Sequence, residues 1–171
     1  MGPGKGPLRV FVADDVPDMR ALVRFALEED TDVIVVGEAG NGVEAVQGVT
    51  ETQPDVVLLD LSMPDLDGLE VIPFVLERSP STGIVVFSGF EAARMRGPAT
   101  ALGAHRYVEK GRPLDELRTA IREVGEAKRK GKLPPPPNNP PSDPTGGVTA
   151  MWRLPSRLSV RLWPAPRPAW G

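Results

Sequence analysis

The stretch Val56-Val57-Leu58-Leu59-Asp60 decides the fold, because four apolar residues run without interruption into an acid. A run of this length without polar alternation is typical of a parallel strand that is buried on both faces. Ligands of such sheets bind beyond the carboxyl ends of the strands. The sequence therefore predicts that Asp60 lies at the end of a buried strand, where its carboxylate can take part in chemistry.

Three further apolar runs end on polar side chains. Asp14 and Asp15 follow the first run, Ser88 follows another, and Lys110 follows the last. Since the carboxyl ends of parallel strands meet at one edge of a sheet, we expect three carboxylates, a hydroxyl and an ammonium in one crevice. That combination suits a divalent cation and a phosphoryl group.

Apolar runs of strand length alternate five times with segments of helical periodicity. This repeated alternation predicts an α/β protein with a doubly wound parallel sheet. The predicted strands are Leu8–Ala13, Val33–Val36, Val56–Leu59, Gly83–Phe87 and Arg106–Glu109.

Two of the predicted helices contain residues that disfavour a helix. Pro73 lies inside the third helical segment, and Gly97-Pro98 lies inside the fourth, which covers residues 91–102. Proline removes a backbone hydrogen bond to the preceding turn. We therefore expect Gly97-Pro98 to break or restart the fourth helix.

Charge and composition divide the chain unevenly. All but one of the 23 Asp and Glu residues precede residue 132, whereas the last forty residues contain five of the 20 bases and eleven of the 20 prolines. So much proline favours extended structure and cannot build a core. We predict a flexible N-terminus over residues 1–7, a folded domain over 8–130 and a basic, disordered tail over 131–171.

The composition also excludes several classes of protein. The chain has no cysteine, so disulfides and thiolate metal sites cannot contribute. Its longest apolar runs are far below the roughly 18 residues that a membrane span needs, and residues 1–7 lack the apolar region of a signal peptide. We expect a cytoplasmic protein that has no membrane partner.

The three acids at the strand ends suggest a metal site. Close carboxylates repel one another and resist ionising together, and a bound Mg²⁺ relieves that conflict because it prefers oxygen ligands. Adjacent acids such as Asp14 and Asp15 are more often solvated turn residues, but Asp60 at a neighbouring strand end favours the metal. Asp60 can also attack a phosphorus centre, with Mg²⁺ and Lys110 supplying positive charge around the phosphoryl group.

From residue 8 to residue 127 the chain resembles the receiver domain of response regulators, the phosphoacceptor half of two-component signalling. The resemblance implies a flavodoxin-like, five-stranded parallel sheet in the order 2-1-3-4-5 with five helices. The segments that carry it are Val12-Ala13-Asp14-Asp15, Leu59-Asp60-Leu61-Ser62-Met63-Pro64, Asp67-Gly68, Ser88-Gly89 and Gly103-Ala104-His105-Arg106-Tyr107-Val108-Glu109-Lys110.

The resemblance also implies a role for each residue of the site. Asp60 is the phosphoacceptor, and Lys110 pairs with the phosphoryl group. Ser88 and Tyr107 are the two switch residues, although Tyr107 could also be a half-buried strand aromatic that needs no switching. The implied Mg²⁺ ligands are Asp14, Asp15, Asp60 and the backbone carbonyl of Ser62.

The implied function is that of a phosphorylation-dependent response regulator, which is a signalling domain and not an enzyme in the usual sense. The phosphoryl donor would be a phosphohistidine on a sensor histidine kinase or a histidine phosphotransfer protein. The fourth and fifth helices are candidates for a homodimer interface, as in many relatives.

The residues after Lys110 bear on the output of the domain. Gly111-Arg112-Pro113 is closest to the subfamily that usually carries a helix-turn-helix output domain. No pair of amphipathic helices follows residue 131, however, so we do not expect binding to nucleic acid.

Two other functions stay open at the level of sequence. A receiver-like adaptor could work without phosphorylation and recruit a partner through its tail, although the complete set of active-site residues argues against it. A hydrolase with an aspartyl-phosphate intermediate would fit the chemistry of Asp60, but no second acid or base for it is visible in the sequence.

Overall fold

The computed structural model describes residues 6–135. In this range five strands alternate with five helices, as the sequence predicts, and the predicted receiver-like architecture is confirmed. The strands are β1 (Leu8–Ala13), β2 (Val33–Ala39), β3 (Val56–Leu59), β4 (Gly83–Ser88) and β5 (Arg106–Glu109). The helices are α1 (Pro17–Glu28), α2 (Gly42–Thr52), α3 (Gly68–Arg78), α4 (Ala92–Leu102) and α5 (Leu114–Arg129).

The five strands form one parallel sheet in the order β2-β1-β3-β4-β5. The registers pair Ala13 with Leu59, Leu59 with Val86, and Ser88 with Glu109. Four of these five residues end their strands, namely Ala13, Leu59, Ser88 and Glu109, so the side chains that follow them meet at one edge of the sheet. The strand order thus brings residues from both halves of the chain into one site.

Two apolar layers enclose the sheet. One layer lies under α1 and α5, and the other lies under α2, α3 and α4. Strands β3 and β4 are buried along their whole length, which agrees with their uninterrupted apolar sequences. Full burial of a leucine or isoleucine side chain contributes about 1.5–3 kcal/mol, so residues such as Leu58, Ile84 and Ile121 fix the sheet against its helices.

Strand β2 is longer than the sequence predicts, because it continues past Val36 to Ala39. The register with β1 shifts between Val10 and Phe11, which marks a β-bulge. A Cβ atom at Gly37 would lie 2.6 Å from the Phe11 ring, so glycine is needed there for the ring to pack. The prediction ended β2 where the apolar run ends, but the pairing with β1 carries the strand through Gly37 and Glu38.

The prediction that Gly97-Pro98 breaks or restarts the fourth helix is wrong. Helix α4 runs without interruption through both residues. Gly97 and Pro98 are exposed. Pro98 has no backbone N–H, so the carbonyl of Arg94, one turn earlier, does not receive its usual helical hydrogen bond. Arg94 is exposed as well. Water can therefore satisfy this carbonyl, which explains why the helix tolerates the proline. Helix α3 likewise continues through Pro73.

The chain turns back on itself after α5. Gly131 adopts a positive φ of 63°, and the backbone N–H of Lys132 donates to the carbonyl of Ala127. The turn places Leu133 against the apolar layer under α1 and α5. The predicted tail lies mostly outside the described residues. No helix in residues 6–135 is long and apolar enough to cross a membrane.

Candidate functional site

The site is built at the carboxyl ends of β1, β3, β4 and β5. Backbone hydrogen bonds hold these ends together: the N–H of Asp60 donates to the carbonyl of Ala13, and the N–H of Lys110 donates to the carbonyl of Ser88. The residues that follow the strands are therefore as well fixed as the strands themselves. The structure brings together the acids, the hydroxyl and the lysine that the sequence predicts at this edge.

Three carboxylates form a compact cluster. Asp14, Asp15 and Asp60 each offer an oxygen atom, and the three oxygens lie within 4.8 Å of one another. Asp14 and Asp60 are buried, with 3% and 2% of their surface exposed, whereas Asp15 is exposed. Two of the carboxylates are thus held inside the protein, and the third lies at its surface.

Lys110 lies between the two buried carboxylates. Its Nζ is 2.7 Å from Oδ2 of Asp14 and 3.0 Å from Oδ2 of Asp60. Burial by itself disfavours the charged ammonium, but the hydrogen bonds and charges of the two acids outweigh this effect and raise the pKa of Lys110. The lysine is therefore a permanent cation in the site.

Asp60 occupies an unfavourable position for a carboxylate. Burial raises its pKa, and the charge of Asp14 acts in the same direction, while Lys110 and a hydrogen bond from the Ser62 backbone oppose the rise only in part. Its Oδ1 atom is buried and has no hydrogen-bond partner among the described residues. A buried acceptor without a partner costs about 1–3 kcal/mol, so the site keeps one Asp60 oxygen available at the expense of stability.

The donor atoms of the cluster fit Mg²⁺. All are oxygens of carboxylates, which is the ligand type that this ion prefers. The unpartnered Oδ1 of Asp60 gives the cluster a free acceptor. Asp15 is exposed, so a hydrated ion can reach the cluster from solvent.

Ser88 and Tyr107 lie on the β4 and β5 side of the site. Ser88 is completely buried, and its Oγ accepts a 3.3 Å hydrogen bond from the backbone N–H of Phe90. The hydroxyl of Tyr107 donates to the carbonyl of Phe90 at 2.8 Å. Burial raises the pKa of Tyr107, so its hydroxyl stays protonated as a donor. The two side chains thus hold the same turn between β4 and α4.

The loop after Asp60 is held by two glycines. A Cβ atom at Gly68 would collide with the backbone carbonyl of Asp60, and one at Gly42 would collide with the carbonyl of Leu66. Asp65 in the same loop has a positive φ of 69°. Ser62 is exposed at the start of this loop. The starts of α2 and α3 therefore enclose the segment that contains the Ser62 carbonyl.

Sequence reasoning missed the role of Gly42. The Gly40-Asn41-Gly42 turn predicts the start of a helix, and the Asn41 side chain does accept from the N–H of Glu44 at the start of α2. The contact of Gly42 with Leu66 joins residues 24 positions apart. No local pattern could reveal it, because it depends on how α2 packs beside the β3–α3 loop.

Comparisons with known proteins place these features in context. A model of the response regulator receiver domain matches residues 10–122. The chain is 32% identical over 119 residues to the chemotaxis protein CheY of Listeria monocytogenes, covering 70% of this chain and 99% of that protein. It is 37% identical over 110 residues to an uncharacterized transcriptional regulatory protein, YhcZ of Bacillus subtilis, covering 64% of this chain and 51% of that protein.

Solved structures give the same result. The signal receiver domain of a putative response regulator, NarL of Mycobacterium tuberculosis, superposes with a TM-score of 0.67 at 32% identity, covering 71% of this chain and 98% of that one. The response regulator domain of Thermotoga maritima CheB superposes with a TM-score of 0.62 at 30% identity, covering 76% and 99%. The chain spans about half the length of the Bacillus subtilis regulators that it matches.

Proposed function

The chain belongs to the response regulator receiver family, and on that premise we propose that Asp60 accepts a phosphoryl group in two-component signalling. One observation carries the proposal. Asp60 is buried at a strand end with Oδ1 unpartnered and Oδ2 beside a lysine. A carboxylate without its full set of hydrogen bonds, next to a fixed cation, is suited to attack an electrophile that brings negative charge.

The proposed donor is a phosphohistidine on a sensor histidine kinase or a histidine phosphotransfer protein. A carboxylate oxygen of Asp60 forms a bond to phosphorus while the bond between phosphorus and the imidazole nitrogen breaks. The imidazole leaves with the electron pair of that bond. Lys110, 3.0 Å from Asp60, offers its ammonium to the oxygens of the transferred group.

The proposed metal is Mg²⁺, held by Asp14, Asp15, Asp60 and the backbone carbonyl of Ser62. When bound, the ion neutralises negative charge that the carboxylates and the phosphoryl group would otherwise place together. Asp14 and Asp15 hold it on the β1 side of the cluster, and the Ser62 carbonyl lies in the loop enclosed by Gly42 and Gly68.

Ser88 and Tyr107 are the proposed switch residues. The Ser88 hydroxyl is the proposed donor to a phosphoryl oxygen, and at present it accepts from the N–H of Phe90 and also forms a side-chain hydrogen bond with Tyr107. Tyr107 holds the carbonyl of Phe90, two residues beyond Ser88. A change at Ser88 therefore reaches Tyr107 through the turn that both residues contact.

The receiver then acts as a signalling domain whose surface differs between the phosphorylated and unphosphorylated states. The proposed homodimer interface is formed by α4 and α5.

Acetyl phosphate tests the phosphoacceptor directly. The full chain is incubated with acetyl phosphate and Mg²⁺, and intact mass is measured. We expect an adduct of roughly 80 Da, which corresponds to one phosphoryl group. Asp60→Asn should give none, while Asp65→Asn, in the loop outside the cluster, should label as the parent does.

The same experiment separates the other functions. Absence of an adduct under conditions that label a known receiver would contradict the proposal and favour an adaptor that works without phosphorylation. Rapid consumption of many equivalents of acetyl phosphate would favour a hydrolase with an aspartyl-phosphate intermediate.

A further inference from the structure

Helix α4 is weakly attached to the domain by its own residues. Of its eleven residues only Ala99 is buried, while Ala92, Met95 and Leu102 are partly buried against the same apolar layer. Gly97 and Pro98 lower the intrinsic stability of the helix. Glu91, which precedes the helix, makes no capping hydrogen bond with its side chain. The first N–H groups of a helix need partners from outside the helix. The position of α4 therefore depends on contacts that other elements supply.

Strand β5 supplies two of these contacts. Successive strand residues point to opposite faces of a sheet, so Tyr107 and Glu109 share the face that α4 covers. The Tyr107 hydroxyl donates to the carbonyl of Phe90 at 2.8 Å, and a carboxylate oxygen of Glu109 accepts from the N–H of Ala92 at 2.5 Å. Together the two side chains hold the turn before α4 and the first residue of the helix.

Glu109 is chemically suited to this contact. A carboxylate at a helix N-terminus gains from the helix dipole as well as from the hydrogen bond. No ion pair among the described residues involves Glu109, so its charge has no competing partner of that kind there. Glu109 therefore provides from β5 the cap that α4 does not supply from its own sequence.

Glu109 also adjoins the proposed phosphoryl site. It pairs with Ser88 in the register of β4 and β5, and the next residue, Lys110, donates its backbone N–H to the carbonyl of Ser88 at 2.7 Å. The Lys110 side chain reaches Asp14 and Asp60. Lys110, whose side chain contacts the acids, thus directly follows Glu109, whose side chain caps α4.

We propose that Glu109 is a positioning residue that couples α4 to the phosphoryl site through its cap on Ala92. A shift of Lys110 toward the phosphoryl group displaces the end of β5, and the cap carries that displacement to α4. This coupling rests on the proposed function of Asp60. It is distinct from the contacts of Ser88 and Tyr107, which act on Phe90 and not on the helix itself.

Two substitutions remove the hydrogen bond of the cap, one at its acceptor and the other at its donor. Glu109→Ala deletes the acceptor. Ala92→Pro deletes the donor while keeping Glu109, and proline is well tolerated at the first position of a helix. The residue before it, Glu91, already has φ −59° and ψ 130°, which is the conformation that precedes a proline. Ala92→Pro therefore remains informative if Glu109→Ala fails to fold.

Two further variants act as controls. Glu109→Gln keeps an oxygen that can accept the same hydrogen bond. Glu91→Ala removes an acidic side chain at the same end of α4 that makes no cap. A purely electrostatic effect of any nearby acid would appear in Glu91→Ala and would not be rescued by Glu109→Gln.

The measurement is amide hydrogen exchange of α4, with and without acetyl phosphate and Mg²⁺, together with intact mass. In the unmodified protein we expect Glu109→Ala to speed exchange of the first α4 amides by roughly 2- to 30-fold, the range expected from loss of a helix cap. Glu109→Ala and Ala92→Pro should both acquire the adduct, yet phosphorylation should no longer change exchange in α4. Glu109→Gln and Glu91→Ala should respond as the parent does.

The outcomes distinguish the coupling from the proposed function. A parent chain that acquires no adduct would contradict the proposed function and, with it, the coupling. A phosphorylated Glu109→Ala or Ala92→Pro protein whose α4 exchange changes as in the parent would overturn the coupling and leave the phosphoacceptor intact.

Discussion

At the scale of single residues, Asp60 combines reactivity with a cost in stability. Burial raises the pKa of its carboxyl group, so the folded protein binds a proton at this group more tightly than the unfolded chain does. A carboxyl whose folded pKa is raised destabilises the protein at pH values above it, and this deficit disappears as pH falls below the unfolded value of about 3.9. The same environment that leaves Oδ1 available therefore weakens the fold at neutral pH.

Asp60→Asn should accordingly raise the melting temperature at pH 7, because an amide is neutral in both states. We expect an increase of roughly 2–5 °C for a domain of this size. Thermal unfolding followed by circular dichroism at pH 7 and near pH 4 checks the sign, since the gain should shrink toward the lower pH. An equal gain at both pH values would show that the carboxylate charge is not its cause.

Substitution of Asp15 tests the metal site with little disturbance of the fold. Its carboxylate is exposed and lies within 4.8 Å of the other two, so its removal should disturb the fold little. Asp15→Ala should weaken Mg²⁺ binding roughly tenfold, equivalent to about 1.4 kcal/mol, and should slow labelling by acetyl phosphate. Titration calorimetry measures the first effect. Asp18→Ala, an exposed acid at the start of α1, is the matched control, and equal affinities for the two variants would contradict the assignment.

Phe90 bears on the lifetime of the phosphoryl group. The resemblance to receiver domains implies that the residues two positions beyond the phosphoacceptor and two beyond the switch hydroxyl flank the path of attacking water, and here these are Ser62 and Phe90. Phe90 is 49% exposed, so it is not buried against α4, and its N–H is fixed to Ser88. Phe90→Glu should admit and orient water and shorten the half-life by about 2- to 10-fold, or about 0.4–1.4 kcal/mol of barrier. Decay of the adduct by mass spectrometry gives the rates, and identical rates would remove this role from Phe90.

At the scale of elements, α2 packs against Leu66 of the β3–α3 loop, the same loop that contains the proposed Ser62 ligand. Gly42→Ala places a methyl group against the carbonyl of Leu66, so the loop must move. We expect weaker Mg²⁺ binding and slower labelling, with a stability loss of about 1–3 kcal/mol from overpacking. Chemical denaturation and calorimetry measure the two effects.

Gly97→Ala is the matched control for Gly42→Ala. Gly97 is also a helical glycine, but nothing lies within 4 Å of the Cβ atom it would acquire. The Gly97→Ala variant should bind Mg²⁺ as the parent does, and it should be more stable because alanine has a higher helix propensity than glycine. Normal Mg²⁺ binding by Gly42→Ala would mean that the loop adjusts without disturbing the site.

The elements also show what a sequence can reveal. The sequence predicts β1, β3 and β5 with correct ends. For β1 and β3 the reason is burial on both faces, which leaves an uninterrupted apolar run in the sequence. The extension of β2 and the continuity of α4 were missed, since the first depends on pairing with β1 and the second on solvent around Pro98. Likewise the chain order of the strands predicts that Asp14, Asp60 and Lys110 converge, but not that the lysine lies between the two acids.

At the scale of the whole molecule, the boundary of the folded domain can be tested by shortening the chain. Leu133 packs on the apolar layer under α1 and α5, beyond the end of α5. A chain that ends at Lys130 should be less stable than one that ends at Pro135 by about 1 kcal/mol, the value of a partly buried leucine. Both should label at Asp60, because no residue of the site lies beyond Lys110.

Urea unfolding of the two shortened chains provides the comparison, with the full chain as reference. Leu133→Ala in the chain that ends at Pro135 should reproduce most of the loss. Equal stability of both shortened chains would show that the contact of Leu133 contributes nothing measurable.

The interior position of β1, between β2 and β3, has a consequence for how the protein is made. Strand β1, which is synthesised before the other four strands of the sheet, pairs with β2 on one side and β3 on the other. After β3, each new strand is added beside the one synthesised just before it, so the sheet can grow outward in the order of synthesis. The edge that carries Lys110 is completed last. During translation the acids of β1 and β3 therefore meet before their cation arrives, and the nascent chain holds an uncompensated anionic centre until β5 is in place.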